Sequence, residues 1–415
     1  MIKQQLNSKQ YFWLRLIPAA LLMLSGCAVM RFYWEELMQA FHTYPSDVWY
    51  IHYNYGWFLA NRAFFNIEYP VPMFILFKVL AKAAALLPGC EPGKYGGTIF
   101  TLRNWFIVNS IFLGGCGLAV VGLTHKLNCR YFHLPYSKVL WGLVLTPAFF
   151  FFSIYNYDLV TILCCVAALW LFLEKDFVGA SACLGLGFAF KIYPGAMFPL
   201  FWLAMPSAQR FRSLGAFILP WAVMNIPYMR YNFGTWLYPY TWQLEFDSSE
   251  QTGHLIYHLT AFLGKIPALA LAAAVFLYFL YLIWKRRPEG YTDDALWLTR
   301  CSIVLIASFI MLKNVFSPQY LLWISPFLAL SGGYPFYGLY SAIELLSGLE
   351  VSGLYYWREQ CPAFINCCRF LRDLTMLWVW YWTFRQLCPK RQTKRQTAAP
   401  PQKKANKAAG KKTHK

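Results

Sequence analysis

Asp47 lies in the stretch YPSDVWYIHYNYGWFLANRAFFNIEYPVP (44–72), a little beyond the first apolar run, and a dense group of aromatic residues follows it. A carboxylate in that setting has the chemistry of a general base: it can take a proton from a hydroxyl while rings wall the site. Ser46-Asp47 ahead of a helical run is equally a helix N-cap, and both readings stand. Tyr50 belongs to the same aromatic group. Glu68-Tyr69-Pro70 supplies a second acid, just where a proline opens a helix and the helix dipole favours negative charge. Asp158 ends the NYD of 156–158 and heads the run LVTILCCVAALWLF, either as a cap or as a polar group at the mouth of a span. Lys191 follows GLGFAF and precedes Tyr193-Pro194. A lysine there is costly unless it snorkels to water or meets an anion such as phosphate, and Arg103 has the same two readings. Lys313 precedes Ser317-Pro318-Gln319-Tyr320, where Ser317 and Pro318 suit the start of a helix and Gln319 and Tyr320 carry polar groups. The loop with Glu245, Asp247, Glu250, His254 and His258 is the chain's acid-rich segment; solvation explains most of it, with His254 a candidate to face a cavity.

These residues are held by a chain that is built for a membrane. Of 415 residues, 58% are hydrophobic and 20% aromatic, whereas only 13% are charged. Soluble domains carry roughly 25% charged residues, and a chain of this size cannot hide so many rings in one soluble core. Apolar runs long enough to cross a bilayer occur at 11–30, 99–124, 138–155, 157–173, 211–227, 262–284, 296–313 and 317–334. The stretch 177–206 is interrupted at KIYPG, which predicts two short helices meeting at a break. Further spans are expected at 335–350 and 370–388. The basic loops at 125–130, 207–213 and 285–287 belong on the cytoplasmic side. They define a path of up to twelve spans with both ends inside, provided that the apolar helix 71–87, with Lys78 and Lys82 one turn apart, lies on the outer surface. The expected architecture is therefore all-α, a polytopic bundle of about 10–12 spans over 1–388, with a long first extracytoplasmic loop. The net charge of +19 is concentrated at the end: from Arg385 onward there are eleven Lys or Arg and no acid. Residues 389–415 read as a disordered cytoplasmic tail drawn to anionic headgroups, so membrane lipids are expected partners and nucleic acid is not. The twelve cysteines show no metal-ligand spacing.

Five segments together resemble the GT-C superfamily of glycosyltransferases, and family 87 within it. They are Asp47 with Tyr50 three residues on; EYP at 68–70; NYD at 156–158; GLGFAFKIYPGAMFPLF at 185–201; and FSPQYLLWISPFLAL at 316–330. The resemblance covers roughly residues 10–335, and the family's tyrosine followed by two prolines is replaced here by EYPVP. It implies a helical membrane enzyme that takes a sugar, mannose by analogy, from a polyprenyl-phosphate donor. Asp47 would be the base, and Lys191, with Arg103 or Lys313, would face the leaving phosphate. The acceptor would be a lipid or glycan on the extracytoplasmic face of a bacterial inner membrane, with no cofactor and no metal. The competing class is a transporter or flippase for a lipid-linked sugar, which would also have a helix broken at Lys191.

Overall fold

In a computed structural model, the chain is described at residues 48, 51, 55–56, 59, 66, 68–89, 91–92, 98–99, 101–153, 156–245, 260–287, 294–313, 317–331, 337–345 and 361–387. Asp47, Tyr50, His254 and the tail 389–415 lie outside the described residues. The described chain is helical apart from a two-residue antiparallel pairing of β1 (Glu91–Pro92) with β2 (Thr98–Ile99).

Helix α1 (Val71–Ala85) starts at Pro70-Val71-Pro72, where fixed φ and missing N–H groups suit a first turn. It buries Phe74, Phe77, Leu80 and Ala84 and packs against α2 (Leu102–Leu127). Thr101 caps α2, its hydroxyl accepting from the Asn104 N–H at 3.2 Å. α2 runs on through a π turn (Asn128–Phe132), which makes 31 continuous residues able to span a bilayer.

The expected single span at 138–155 is instead broken into α3 (Tyr136–Val139), a second π turn (Leu140–Val144) and α4 (Pro147–Phe152). The cause is Thr146-Pro147: proline cannot donate to the preceding turn, and the Thr146 hydroxyl caps the new helix through the Phe149 N–H at 3.3 Å. α5 (Asp158–Leu173) and α6 (Phe177–Phe190) form a hairpin whose turn Asp176 caps, accepting from the Gly179 N–H at 2.8 Å. After the break at Lys191 come α7 (Pro194–Ala204), α8 (Ser207–Tyr231) and α9 (Phe233–Glu245).

α10 (Lys265–Lys285) and α11 (Ala295–Leu312) are two more helices long and apolar enough to cross a membrane. The run at 317–334 is likewise not one helix. It is a 3₁₀ turn (Pro318–Trp323) followed by α12 (Ser325–Ser331), with Pro326 in the first turn of the new helix. A helix at 337–345, here α13, and α14 (Pro362–Gln386) complete the described chain.

Two buried apolar clusters fix the frame. The larger joins α2, α5, α7, α11, the 3₁₀ turn and α12. The smaller joins Val48, Ile51 and Leu59 to α1, Trp105, Leu113 and Tyr157. The site lies where the two meet.

Candidate active site

The sequence places three charged side chains at helix ends, and in each case the helix dipole has the favourable sign. Asp158 is the first residue of α5, where negative charge is stabilised; Lys191 and Lys313 are the C-cap residues of α6 and α11, where positive charge is. Both lysines have extended backbone, with φ −149° at Lys191 and −81° at Lys313, so each chain leaves its helix sharply. Gly187 permits the first of these exits. A Cβ there would stand 3.1 Å from both Cys164 Cβ and Pro194 Cγ, a tight fit, so the glycine eases the close approach of the last turn of α6 to α5 and the start of α7.

The break brings Lys191 to Asp158. The lysine ammonium donates to Asp158 Oδ1 in an ion pair, with Asp158 fully buried and the lysine side chain 17% exposed. Neither the cap reading of Asp158 nor the snorkelling reading of Lys191 describes this: the two meet each other. Asn156 prepares the acid by accepting the Asp158 backbone N–H on its Oδ1 at 3.1 Å. Asp158 Oδ2 and Asn156 Nδ2 are buried with no hydrogen-bond partner among the described residues. Burying such groups unsatisfied costs about 1–3 kcal/mol or more each, so a polar ligand is the natural partner.

Aromatic rings form the wall. Tyr193 lies parallel to Trp323, centroids 3.9 Å apart at 10°, and Trp323 contacts Tyr320 at 4.1 Å. The second contact follows from the 3₁₀ turn, in which side chains at i and i+3 eclipse. Lys191 Nζ stands 5.7 Å from the Trp323 centroid, and Lys313 Nζ 4.6 Å from that of Tyr320. Lys313 also donates to the Tyr320 hydroxyl at 2.6 Å. Three rings thus connect two ammonium groups. Among the described residues one carboxylate stands with two lysines here, and an anion is a chemically fitting ligand for such a group.

A chain of hydrogen bonds extends from Tyr157, next to Asp158, to Val48. The neighbouring Tyr157 hydroxyl donates to Asn109 Oδ1 at 2.6 Å, and Asn109 Nδ2 donates to the Trp105 carbonyl at 2.8 Å. The Trp105 indole N–H donates to the carbonyl of Val48 at 2.6 Å. Val48 is the residue after Asp47, and it is buried beside Tyr157 in the smaller cluster.

Among the expected site residues, Asp158, Lys191, Tyr193, Lys313 and Tyr320 therefore come together. Glu68 and Tyr69 are half-buried ahead of α1, Tyr69 meeting Phe77 edge-on at 5.3 Å, and Phe77 meets Tyr157 at 4.6 Å. Gln319 is half-buried on the 3₁₀ turn. Arg103 is exposed at the start of α2, outside the cluster, so Lys313 rather than Arg103 accompanies Lys191. Sequence reasoning missed Trp323, Asn109 and Trp105. For Trp323 a signal existed, since it stands three residues after Tyr320 in a proline-opened turn.

Fold and site together define a helical membrane protein in which two lysines, an aspartate and a stack of rings gather at helix ends. The chain matches the model of glycosyltransferase family 87 over residues 67–312, more than half its length, and belongs to that family, which is of the GT-C type. No curated protein sequence and no solved structure matches it significantly. The match includes Glu68, Tyr69, Arg103, Asp158, Lys191 and Tyr193; Asp47 precedes it, and Lys313, Tyr320 and Trp323 follow it.

Proposed function

We propose that this glycosyltransferase moves a hexose, mannose in our reading, from a polyprenyl-phosphate donor to a lipid or glycan acceptor on the extracytoplasmic face, with inversion at the anomeric carbon. The observation that carries the reading is the gathering of Asp158, Lys191 and Lys313 against the Tyr193–Trp323–Tyr320 stack. A lipid-linked phosphate is an anion that two lysines can hold, and a sugar has the apolar faces the rings can cover.

The reaction needs a base on one side of the sugar and cations on the other. The Asp47 carboxylate takes the proton of the acceptor hydroxyl, whose oxygen forms a bond to the anomeric carbon. The bond from that carbon to the phosphate oxygen breaks, and the electron pair leaves with polyprenyl phosphate. Lys191 and Lys313 offset the charge gathering on the phosphate, the usual task of positioned cations. Asp158 orients Lys191. Asp47 is assigned from its place after the first apolar run and from the family resemblance. The anchoring of Val48 near Tyr157 supports that assignment. Family membership favours the enzyme over the transporter reading.

The test is incubation of purified protein with radiolabelled polyprenyl-phosphate mannose and a membrane lipid extract. Label should pass to a lipid or glycan product. Asp47→Asn should slow this about 10²–10⁴-fold, the usual contribution of general-base catalysis, while keeping any capping role. Intact donor and no labelled product would sink the donor assignment; a near-parental Asp47→Asn would sink the base.

A further inference from the structure

Glu344 is a buried acid that the proposed chemistry does not use. It is 1% exposed and lies on α13, beyond the segment matched by the family. α13 lies against the segment 317–331 and holds it through three side chains at positions 337, 340 and 344, the spacing of one helix face. Tyr337 donates to the Ala329 carbonyl at 3.0 Å, and Tyr340 donates to the Leu321 carbonyl. Glu344 Oε1 stands 3.4 Å from the Ser325 hydroxyl, whose proton is shared with the Leu321 carbonyl at 3.1 Å, while Oε2 accepts the backbone N–H of Ala148 at 3.2 Å. Gly142 shows how close the approach is: a Cβ there would stand 2.9 Å from both Ala329 Cα and the Tyr337 ring.

The two oxygens of one carboxylate therefore reach two separate parts of the site's scaffold. Ser325 opens α12, two residues after Trp323. Ala148 is in the first turn of α4, whose chain leads to Asn156 and Asp158. The two segments also touch directly, α4 and α5 each meeting the 3₁₀ turn. A buried carboxyl group is a costly brace, since its polar atoms give up their hydration; what it adds is a directional hold on both partners.

We propose that Glu344 is a positioning residue for glycosyl transfer. It sets the separation between the strand of chain leading to Asp158 and the turn bearing Tyr320 and Trp323, and so fixes where Lys191 and Lys313 stand relative to each other. The proposal rests on the transfer reaction above.

Glu344→Gln keeps size and one acceptor oxygen but turns the other into a donor. Two measurements test it. Hydrogen exchange should rise in Glu344→Gln at 147–160 and at 318–325 together, with α10 unchanged. Transfer by the same variant should lose about tenfold in kcat with a smaller change in the donor KM, because misplaced cations weaken charge stabilisation in the transition state more than ground-state binding. In a Trp323→Leu background, where the ring stack is already lost, the same substitution should cost less than about twofold, since coupled residues are not additive. A merely structural residue would instead subtract the same factor in both backgrounds, in step with melting temperature. Unchanged exchange in either segment overturns the proposal, and so does a parental kcat or an equal loss in both backgrounds. If Glu344→Gln does not fold, Ser325→Ala removes one arm alone and is read by the same criteria. Parental protein that transfers nothing from the lipid phosphate overturns the donor assignment, and the exchange measurement still decides whether Glu344 holds the two segments.

Discussion

At the scale of residues, the ion pair of Asp158 and Lys191 determines what substitutions will do. Lys191→Met would leave a buried carboxylate with no partner, and breaking such a pair costs roughly 3–5 kcal/mol. Asp158→Asn combined with Lys191→Met removes both charges and should recover most of that stability in thermal melts in detergent. Transfer should stay at least about tenfold down in the double variant, because the cation is gone. Lys191→Arg should keep part of the activity, with charge retained and geometry altered. A double variant no more stable than Lys191→Met would show that pairing does not account for the loss. Polar residues inside apolar runs made Asp158, Lys191, Tyr193, Lys313 and Tyr320 legible in the sequence. That they meet was not legible, because it depends on three helix ends distant in sequence. Trp323 stayed hidden because a tryptophan in FSPQYLLW reads as ordinary core.

At the scale of elements, the packing of α6 on α8 is the closest helix approach near the site. A Cβ on Gly185 would clash with the backbone carbonyl of Phe217 on α8, whereas one on Gly215 meets nothing within 4 Å. Small residues let membrane helices approach in this way. Gly185→Ala should therefore force the helices apart and destabilise the protein by about 1–3 kcal/mol. Gly215→Ala should be neutral or stabilising by up to about 1 kcal/mol, from helix propensity alone. Paired melting curves check both, and equal curves would remove the packing argument. The break between α6 and α7 could be read from KIYPG, where proline and glycine follow a lysine. The breaks at Thr146-Pro147 and after Trp323 were masked by unbroken apolar runs, since hydropathy records what is buried and not whether the helix continues.

At the scale of the molecule, α8 and α10 expose long apolar rows, among them Phe211, Leu219 and Val223 on one and Ile266, Leu277 and Tyr278 on the other. Apolar faces of that length suit lipid contact. The basic loops predict that Arg287 is cytoplasmic and that the start of α10 is outside. With all native cysteines replaced by serine or alanine, an impermeant maleimide applied from outside should label Phe262→Cys and not Arg287→Cys. Labelling of Arg287→Cys would invert the orientation and move the proposed site to the opposite face.

The pairing of Lys191 with a residue only one helical hairpin away also bears on how the chain is made. Translation proceeds at about 5–20 residues per second, so the roughly 150 residues from Lys191 to Glu344 take on the order of ten to thirty seconds. During that time the ring stack, Lys313 and the brace at Glu344 do not yet exist, and the apolar helices α5 and α6 must be accommodated without them. Asp158 is already synthesised, and it can neutralise Lys191 within the hairpin itself. On the proposed mechanism, the acid that orients the cation in the finished enzyme would thus first have served as its escort through insertion. A nascent chain stopped after α7 should integrate efficiently, and the same chain with Asp158→Ala should integrate less well. Equal integration of the two would confine Asp158 to its role in the assembled site.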